Sequence, residues 1–299
     1  MMKLKDIATK FINELAKHYD EDESKAIFFL TVDHHLEIKK SSYILKKDDS
    51  LTAEEAEKLL SVLHLLKKGK PIQYILGKAM FYGLTFIVNE AVLIPRPETE
   101  ELVAWVTEKV NSFQFSVGSS QPTPHNLQPT TLLDIGTGSG CIAISLKKNL
   151  PQLDVAALDI SSEALAIAKQ NAILNKVEIS FIEQNILQHS ASMLDTRYSI
   201  LVSNPPYITQ NERKQMHENV LENEPHLALF VSNERPLIFY EAIADFALKN
   251  LTQNGLLFFE INEHLGRETV AMLADKGFVH IELRADMQGK NRMIGCCKS

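Results

Sequence analysis

A short apolar strand that breaks into Asp134-Ile135-Gly136-Thr137-Gly138-Ser139-Gly140, then resumes as a helical pattern, leaves this chain few architectures. Residues 131–133 read as the strand and 141–148 as the helix. Glycines here let the backbone turn tightly and come close to a ligand, because no Cβ stands in the way. The helix start is expected to offer free N–H groups to an anionic group. The alternation continues downstream. A second strand is expected at 155–158, and a helix at 163–175 capped by Ser161 or Ser162. Further strands read at 179–182, 200–202, 256–261 and about 280–285. Strands and helices in this order build an α/β, mostly parallel, doubly wound sheet through right-handed crossovers. Ligands then sit at the carboxyl ends of the strands.

The first part of the chain is different. Ile7, Phe11, Ile12 and Leu15 recur at helical spacing, and a second apolar cluster spans 26–30. Thr52 with Glu55 makes a capping box ahead of Leu59, Leu60, Val62, Leu63, Leu65 and Leu66. That helix should stop at Lys67-Lys68-Gly69, with Pro71 beyond. A small helical bundle follows, with substrate docking as its functional reading. Residues 73–77 and 81–88 look like short strands joined by a turn. Ile94-Pro95-Arg96-Pro97-Glu98-Thr99-Glu100 reads as a stiff loop before a helix at 102–110, and as a pocket wall. Residues 111–130, rich in Ser, Gln, Pro and Asn, read as a flexible insertion. The expected division is therefore 1–72 helical, 73–93 hairpin linker and 94–299 sheet domain.

With 299 residues the length suits about two domains, at roughly 150 residues each. Hydrophobic residues at 45% and charged residues at 23% exclude wholesale disorder and a polytopic membrane protein. The net charge is −7, and it is unevenly placed. Residues 1–90 hold 14 Lys, no Arg and 14 acids, while the remainder holds 17 basic and 24 acidic residues. An acidic chain is a poor partner for nucleic acid, whose binding leans on phosphate neutralisation. Cys141, Cys296 and Cys297 lack framework or metal spacing, so a reducing compartment is expected and the adjacent pair reads as a tail feature. No apolar run nears 18 residues and no signal-peptide core is seen, which makes cytoplasmic the expected location.

Three elements carry the chemistry. The glycine spacing after Asp134 is G-x-G-x-G, and Cys141 stands where a dinucleotide fingerprint would place its third glycine. A structural turn or an NAD site is the competing reading of that loop. Asp159 ends the next strand, where a carboxylate accepts both hydroxyls of an adenosine ribose; otherwise it is an acid opening the next helix. Ser203-Asn204-Pro205-Pro206-Tyr207 follows the strand at 200–202. An amide or exocyclic amine is a poor nucleophile, because its lone pair is delocalised. The Asn204 side-chain carbonyl and the Pro205 backbone carbonyl can each accept one N–H, turning that lone pair toward a methyl donor. Prolines fix φ and add no competing donor, and Tyr207 can stack on a flat target. Placement of nucleophile and methyl in line, with carbonyl dipoles at the developing positive charge, would supply most of the acceleration.

Asp134–Gly140 resembles motif I of the S-adenosylmethionine-dependent methyltransferases, and Asn-Pro-Pro-Tyr marks those acting on adenine N6, cytosine N4 or glutamine N5. The chain is similar to one branch, the HemK/PrmC-type peptide chain release factor glutamine methyltransferases. Matching stretches lie at 73–77, 81–83, 94–100, 134–143, 204–207, 224–225 with 228–229, 255–261 and 286–292. The resemblance implies a Rossmann-like class I sheet of seven strands, mostly parallel, with S-adenosylmethionine as cofactor and S-adenosylhomocysteine as product. It implies a class 1 release factor as substrate, methylated on the glutamine of its Gly-Gly-Gln loop. Asn204, Pro205, Pro206 and Tyr207 would hold that amide. Asp134, Gly136, Thr137, Gly138, Ser139, Gly140, Asp159 and Asn204 would hold the cofactor, with Asn185 and Ile186 beside its adenine. Phe81, Pro95, Arg96, Pro97 and Thr99 would wall the pocket.

Three departures stand out: Asn185 replaces the usual acid, Glu234-Arg235-Pro236 replaces an Asp-Gly turn, and the 111–130 insertion is longer than usual. No metal site, membrane attachment, direct nucleic-acid contact or interface stripe is read, so a monomer is expected. Glu260, at the end of a strand near the cofactor edge, reads first as structural and second as functional. The nearest rival is an N6-adenine methyltransferase on DNA or RNA, which should bring a basic recognition surface. An NAD-dependent oxidoreductase and a catalytically silent binding module stand further off.

Overall fold

A computed structural model describes residues 2–116, 131–188 and 196–299. The chain divides into two units, Met1–Lys78 with His217–Asn223, and Ala79–Met216 with Glu224–Ser299.

The first unit holds helices α1 (Leu4–Leu15), α2 (Glu21–Leu36), α3 (Tyr43–Lys46), α4 (Ala53–Leu66) and α5 (Ile72–Leu76). Ile7, Phe11 and Leu15 fall on one face of α1 and bury against Phe28, Val32, Leu59, Leu63 and Leu66. The capping box is present: the Glu55 N–H donates to Thr52 Oγ1 at 3.2 Å, and the Thr52 N–H donates to the Glu55 carboxylate at 2.8 Å. Of the residues 73–77, expected as a strand, 73–76 are helical in α5, which buries Ile72 and Tyr74 in this unit. So short an apolar stretch has no decisive period. Its ends decide instead: Pro71 starts the turn, and Gly77 takes the left-handed φ of 68° that closes a helix. Residues His217–Asn223 return to this unit with α9 (Glu218–Asn223), where Asn223 Nδ2 donates to the Gly69 carbonyl at 3.1 Å.

The hairpin is formed by β1 (Lys78–Phe81) and β2 (Leu84–Ile87), so 81–88, expected as one strand, holds the turn itself, where Tyr82 and Gly83 take φ of 48° and 73°; α6 (Pro97–Ser116) follows. The stiff loop of 94–100 holds for 94–96 only, since Pro97 is the first residue of α6, where its missing N–H costs nothing. Asn111–Ser116 extend the same helix where an insertion was expected; 117–130 lie outside the described residues. Next come β3 (Thr131–Ile135), α7 (Cys141–Asn149), β4 (Asp154–Asp159), α8 (Ser162–Asn175), β5 (Ser180–Glu183) and β6 (Tyr198–Ser203). Short strands β7 (Ile208–Thr209) and β8 (Phe230–Val231) pair with each other. Then follow α10 (Ile238–Asn250), β9 (Leu251–Glu260), α11 (Gly266–Asp275), β10 (Phe278–Ala285) and β11 (Asn291–Lys298).

Seven strands form one sheet in the order β10-β11-β9-β6-β3-β4-β5, in which only β11 runs against the others. The α/β, mostly parallel reading holds. The reading of Cys296 and Cys297 as a tail does not. Both lie in β11, between β9 and β10, and Cys296 is buried opposite Leu257. A strand covered on both faces reads as a short apolar run without alternation. Alternate residues of β9 serve the two faces. Leu257 and Phe259 join Tyr240 and Ile243 of α10, while Phe258 meets Trp105 of α6 edge to face at 5.2 Å.

Gly295 is what lets Trp105 lie on the sheet: a Cβ there would stand 2.7 Å from Trp105 Cη2 and 3.0 Å from Phe258 Cε1. Gly295→Ala should therefore cost about 1–3 kcal/mol by overpacking, lowering Cm without changing the slope in urea unfolding.

Candidate active site

Parallel pairing brings three strand ends level. Ile135 of β3 lies opposite Leu158 of β4 and Ser203 of β6, and Ser203 lies opposite Phe259 of β9. The next residues along each chain, Gly136, Asp159, Asn204 and Glu260, therefore share one edge of the sheet. From β3 the chain winds outward to β4 and β5, then crosses back to β6, so the order reverses between β3 and β6. An open α/β sheet has its natural ligand crevice at such a switch point.

The glycine loop occupies the β3 side of that crevice. Gly136 and Gly138 have φ of 75° and 54°, and no atom stands within 4 Å of where a Cβ would be at either. Gly140 is glycine for packing: a Cβ would come 2.9 Å from Ile144 Cδ1 and 3.2 Å from the Ala168 Cβ. Asp134 is fully buried beneath the loop. Its Oδ2 accepts from Thr137 Oγ1 at 2.7 Å and from the Ala143 N–H at 3.2 Å, while Oδ1 is buried without a protein partner. Burial pushes this carboxyl up to about 7, against the pull of those two donors.

At the helix start, where free N–H groups are expected, the Ala143 N–H is taken by Asp134, and the loop before it turns several of its own N–H groups inward. The N–H groups of Gly136 and Thr137 donate to the Leu158 carbonyl, that of Gly138 to Asp159, that of Gly140 to the Thr137 carbonyl. Asp159 ties the two loops: Oδ2 accepts from Gly138 at 2.8 Å and Oδ1 from Ser161 at 2.9 Å. Burial raises its pKa despite these bonds. Each oxygen keeps a second lone pair for a hydroxyl.

On the β6 side, Asn204 Nδ2 donates to Thr99 Oγ1 at 3.3 Å, and Thr99 Oγ1 donates to Glu260 Oε2 at 2.6 Å. The Tyr207 hydroxyl donates to Glu260 Oε1 at 3.0 Å. Glu260 is 2% exposed, and desolvation raises its pKa. Asn262 holds the backbone beyond, its Nδ2 donating to the Tyr207 carbonyl at 3.1 Å. Pro205 is buried and Pro206 half-buried. Asn204, Tyr207, Thr99 and Glu260 are thus one hydrogen-bonded group.

The other expected residues are placed less centrally. Pro95 is half-buried, and Arg96 beside it forms an ion pair with the buried Glu224 at 2.6 Å, which also accepts from the Ile94 N–H at 3.3 Å. Phe81 is buried edge to face against Phe86. Ser139 is buried, and its carbonyl accepts from Asn171 Nδ2 at 2.9 Å. Asn185 turns its Oδ1 to the Leu187 N–H at 2.9 Å, and Ile186 packs on the core. The Gln184 Oε1 next to it is buried without a partner. Burial pushes the Cys141 thiol up to about 12, which makes it no nucleophile at neutral pH.

Asn171 was not singled out from sequence. It also grips the Ile87 backbone from both sides, accepting its N–H at 2.6 Å and donating to its carbonyl at 2.9 Å. The available signal was a polar residue on the buried stripe of α8, among Ala164, Ala168 and Ala172. Among the described residues no group of three His, Cys, Asp or Glu is placed to hold a metal, and no helix is long and apolar enough to cross a membrane.

Two family models match this sequence, Methyltransferase small domain over residues 123–229 and PrmC N-terminal domain over residues 6–77. A release factor glutamine methyltransferase from Flavobacterium psychrophilum is 46% identical, covering 98% of both chains. Another bearing that name, from Bacteroides thetaiotaomicron, is 40% identical over 92% of this chain and 93% of its own. Among solved structures, the hMettl16 catalytic domain in complex with MAT2A 3'UTR hairpin 1 matches with TM-score 0.55 at 16% identity, covering 92% of this chain and 90% of that one. That likeness is one of fold.

The two kinds of glycine in the loop separate experimentally. Gly140→Ala combines left-handed strain with the clash on Ile144 and Ala168, and should lower stability by about 2–4 kcal/mol. Gly136→Ala carries the strain alone, at about 1 kcal/mol. Thermal unfolding of both variants checks this, with the larger drop in Tm expected for Gly140→Ala.

Proposed function

This chain belongs to the release factor glutamine methyltransferase family, and from that premise we propose that it methylates N5 of the glutamine in the Gly-Gly-Gln loop of class 1 release factors, with S-adenosylmethionine as donor. The observation that carries the reading is Asn204-Pro205 at the end of β6, one strand from the glycine loop and level with it. The loop residues fit the donor's methionine end. Asp134 has a buried oxygen with no partner, suited to an ammonium group, and Gly136 and Gly138 face open space. Asp159 would take the ribose, Ile186 and Asn185 would border the adenine, and the helical unit would dock the protein substrate. When bound, the cofactor supplies an electrophilic sulfonium methyl.

The chain's own part is to hold and orient. Asn204 Oδ1 and the Pro205 carbonyl would each accept one N–H of the glutamine amide. With both hydrogens so directed, the nitrogen is drawn out of conjugation and its lone pair faces the methyl. Tyr207 would cover the flat amide, with its hydroxyl anchored on Glu260. No base is required before transfer, because the methylated nitrogen is acidic and sheds its proton afterwards. Most of the rate then comes from placement and from fixed carbonyl dipoles at the developing positive charge.

Incubation with labelled S-adenosylmethionine and a recombinant release factor, its Gln→Ala loop variant or an oligonucleotide tests the assignment. Label on the wild-type factor alone is expected; equal label on both factors, or label only on the oligonucleotide, would sink it. Asn204→Ala should lower kcat by at least ~10²-fold while cofactor Kd stays within ~10-fold.

The Asp134 carboxyl gives a pH signature. Burial pushes it up to about 7, and only its ionised form pairs with an ammonium group. Affinity should therefore be full above pH 7 and fall roughly tenfold per pH unit below it. Calorimetric titration from pH 6 to 8 should show this slope, and Asp134→Asn should bind more weakly with the slope abolished.

A further inference from the structure

We propose that Thr99 and Glu260 are positioning residues that fix which end of the Asn204 amide faces the substrate, an inference resting on the role given to Asn204 above. An asparagine amide has a donor end and an acceptor end of nearly equal shape, and rotation by half a turn exchanges them. In the reversed orientation Asn204 would present N–H groups to a substrate amide that itself offers N–H groups. Something must therefore hold the side chain one way round.

The hydrogen-bond chain behind Asn204 does this by polarity alone. An ionised carboxylate accepts and cannot donate. Both Glu260 oxygens are engaged, Oε2 by the Thr99 hydroxyl at 2.6 Å and Oε1 by the Tyr207 hydroxyl at 3.0 Å. Burial raises the Glu260 pKa and Glu98 adds to this, while the two hydroxyl donors and the Arg292 charge pull the other way; the 2.6 Å contact places the Thr99 proton on Oε2. The single hydroxyl proton of Thr99 is thereby committed to Glu260. Its oxygen is left only as an acceptor, so Asn204 must turn Nδ2 toward it, as found at 3.3 Å. Oδ1 is then left for the substrate. The same carboxylate fixes Tyr207, so one buried side chain sets the two that meet the target amide.

Burial makes the arrangement firm. Thr99 is 2% exposed in the first turn of α6, and Glu260 closes β9, so neither hydroxyl nor carboxylate can exchange its partner for bulk water. Local side-chain bonds in such surroundings are costly to leave unmade.

The experiment compares Thr99→Val, Thr99→Ser, Glu260→Met and the double variant Thr99→Val/Glu260→Met in steady-state methylation of the wild-type release factor. Thr99→Val removes the hydroxyl at constant shape, and Thr99→Ser keeps it. For Thr99→Val and Glu260→Met, kcat should fall at least ~30-fold, with KM for the release factor and cofactor Kd within ~3-fold of wild type. Thr99→Ser should return kcat to within ~3-fold, and the double variant should be no worse than the poorer single one, because both cut one chain. Thermal unfolding screens each variant for folding, and the contrast between Thr99→Val and Thr99→Ser decides the matter if Glu260→Met unfolds. Thr99→Val retaining kcat, Thr99→Ser failing as badly as Thr99→Val, or independent effects in the double variant would each overturn the inference. Failure of the wild-type protein to label the release factor would instead overturn the functional reading beneath it.

Discussion

Every part of the site hangs on the parallel register that sets β3, β4, β6 and β9 level at their carboxyl ends. Ladder hydrogen bonds fix that register, and a slip by one residue would send each side chain to the opposite face. Gly136, Asp159, Asn204 and Glu260 are separated by up to 124 positions in the chain, yet each is the residue at or just past its strand's end. The helices between the strands serve mainly to return the chain to the same edge. Once the edge is level, the crevice at the β3–β6 reversal acquires a glycine loop on one side and the Asn204–Tyr207 loop on the other.

A second constraint is the cost of burying carboxylates. Asp134, Asp159 and Glu260 all sit where desolvation opposes ionisation. Each is held by donors from a different source: a threonine hydroxyl and a helix N–H for Asp134, loop N–H groups for Asp159, and two side-chain hydroxyls for Glu260. The donors are not interchangeable. Those on Asp159 shape the loop, those on Glu260 orient two side chains, and Asp134 keeps one oxygen in reserve. Arg96 and Glu224 repeat the theme further out, where an ion pair with a buried carboxylate ties the segment before α6 to the chain beyond α9. Partnered charges of this kind contribute less to stability than to fixing one geometry.

Strand, glycine loop and helix were legible because each has its own period or its own special residue. The helices at α1 and α4 announced themselves by spacing and by the Thr52–Glu55 box. Where signals were short or two-sided they misled. Residues 73–77 had no period long enough to separate strand from helix, and β11 looked like a tail because burial on both faces erases alternation. Pro97 reads equally as loop or as the start of a helix, because its ring is at home in a first helical turn.

The sequence by itself determined the class of fold, the place of the glycine loop and the Asn204-Pro205-Pro206-Tyr207 segment on which the proposed chemistry rests, since these are local patterns. Tertiary structure decided what stands behind that centre. Thr99 and Glu260 lie 161 positions apart, and nothing local in either segment says that they meet. Hydrogen-bond direction is a property of groups in contact, so only the folded chain could turn a threonine and a glutamate into the device that orients Asn204.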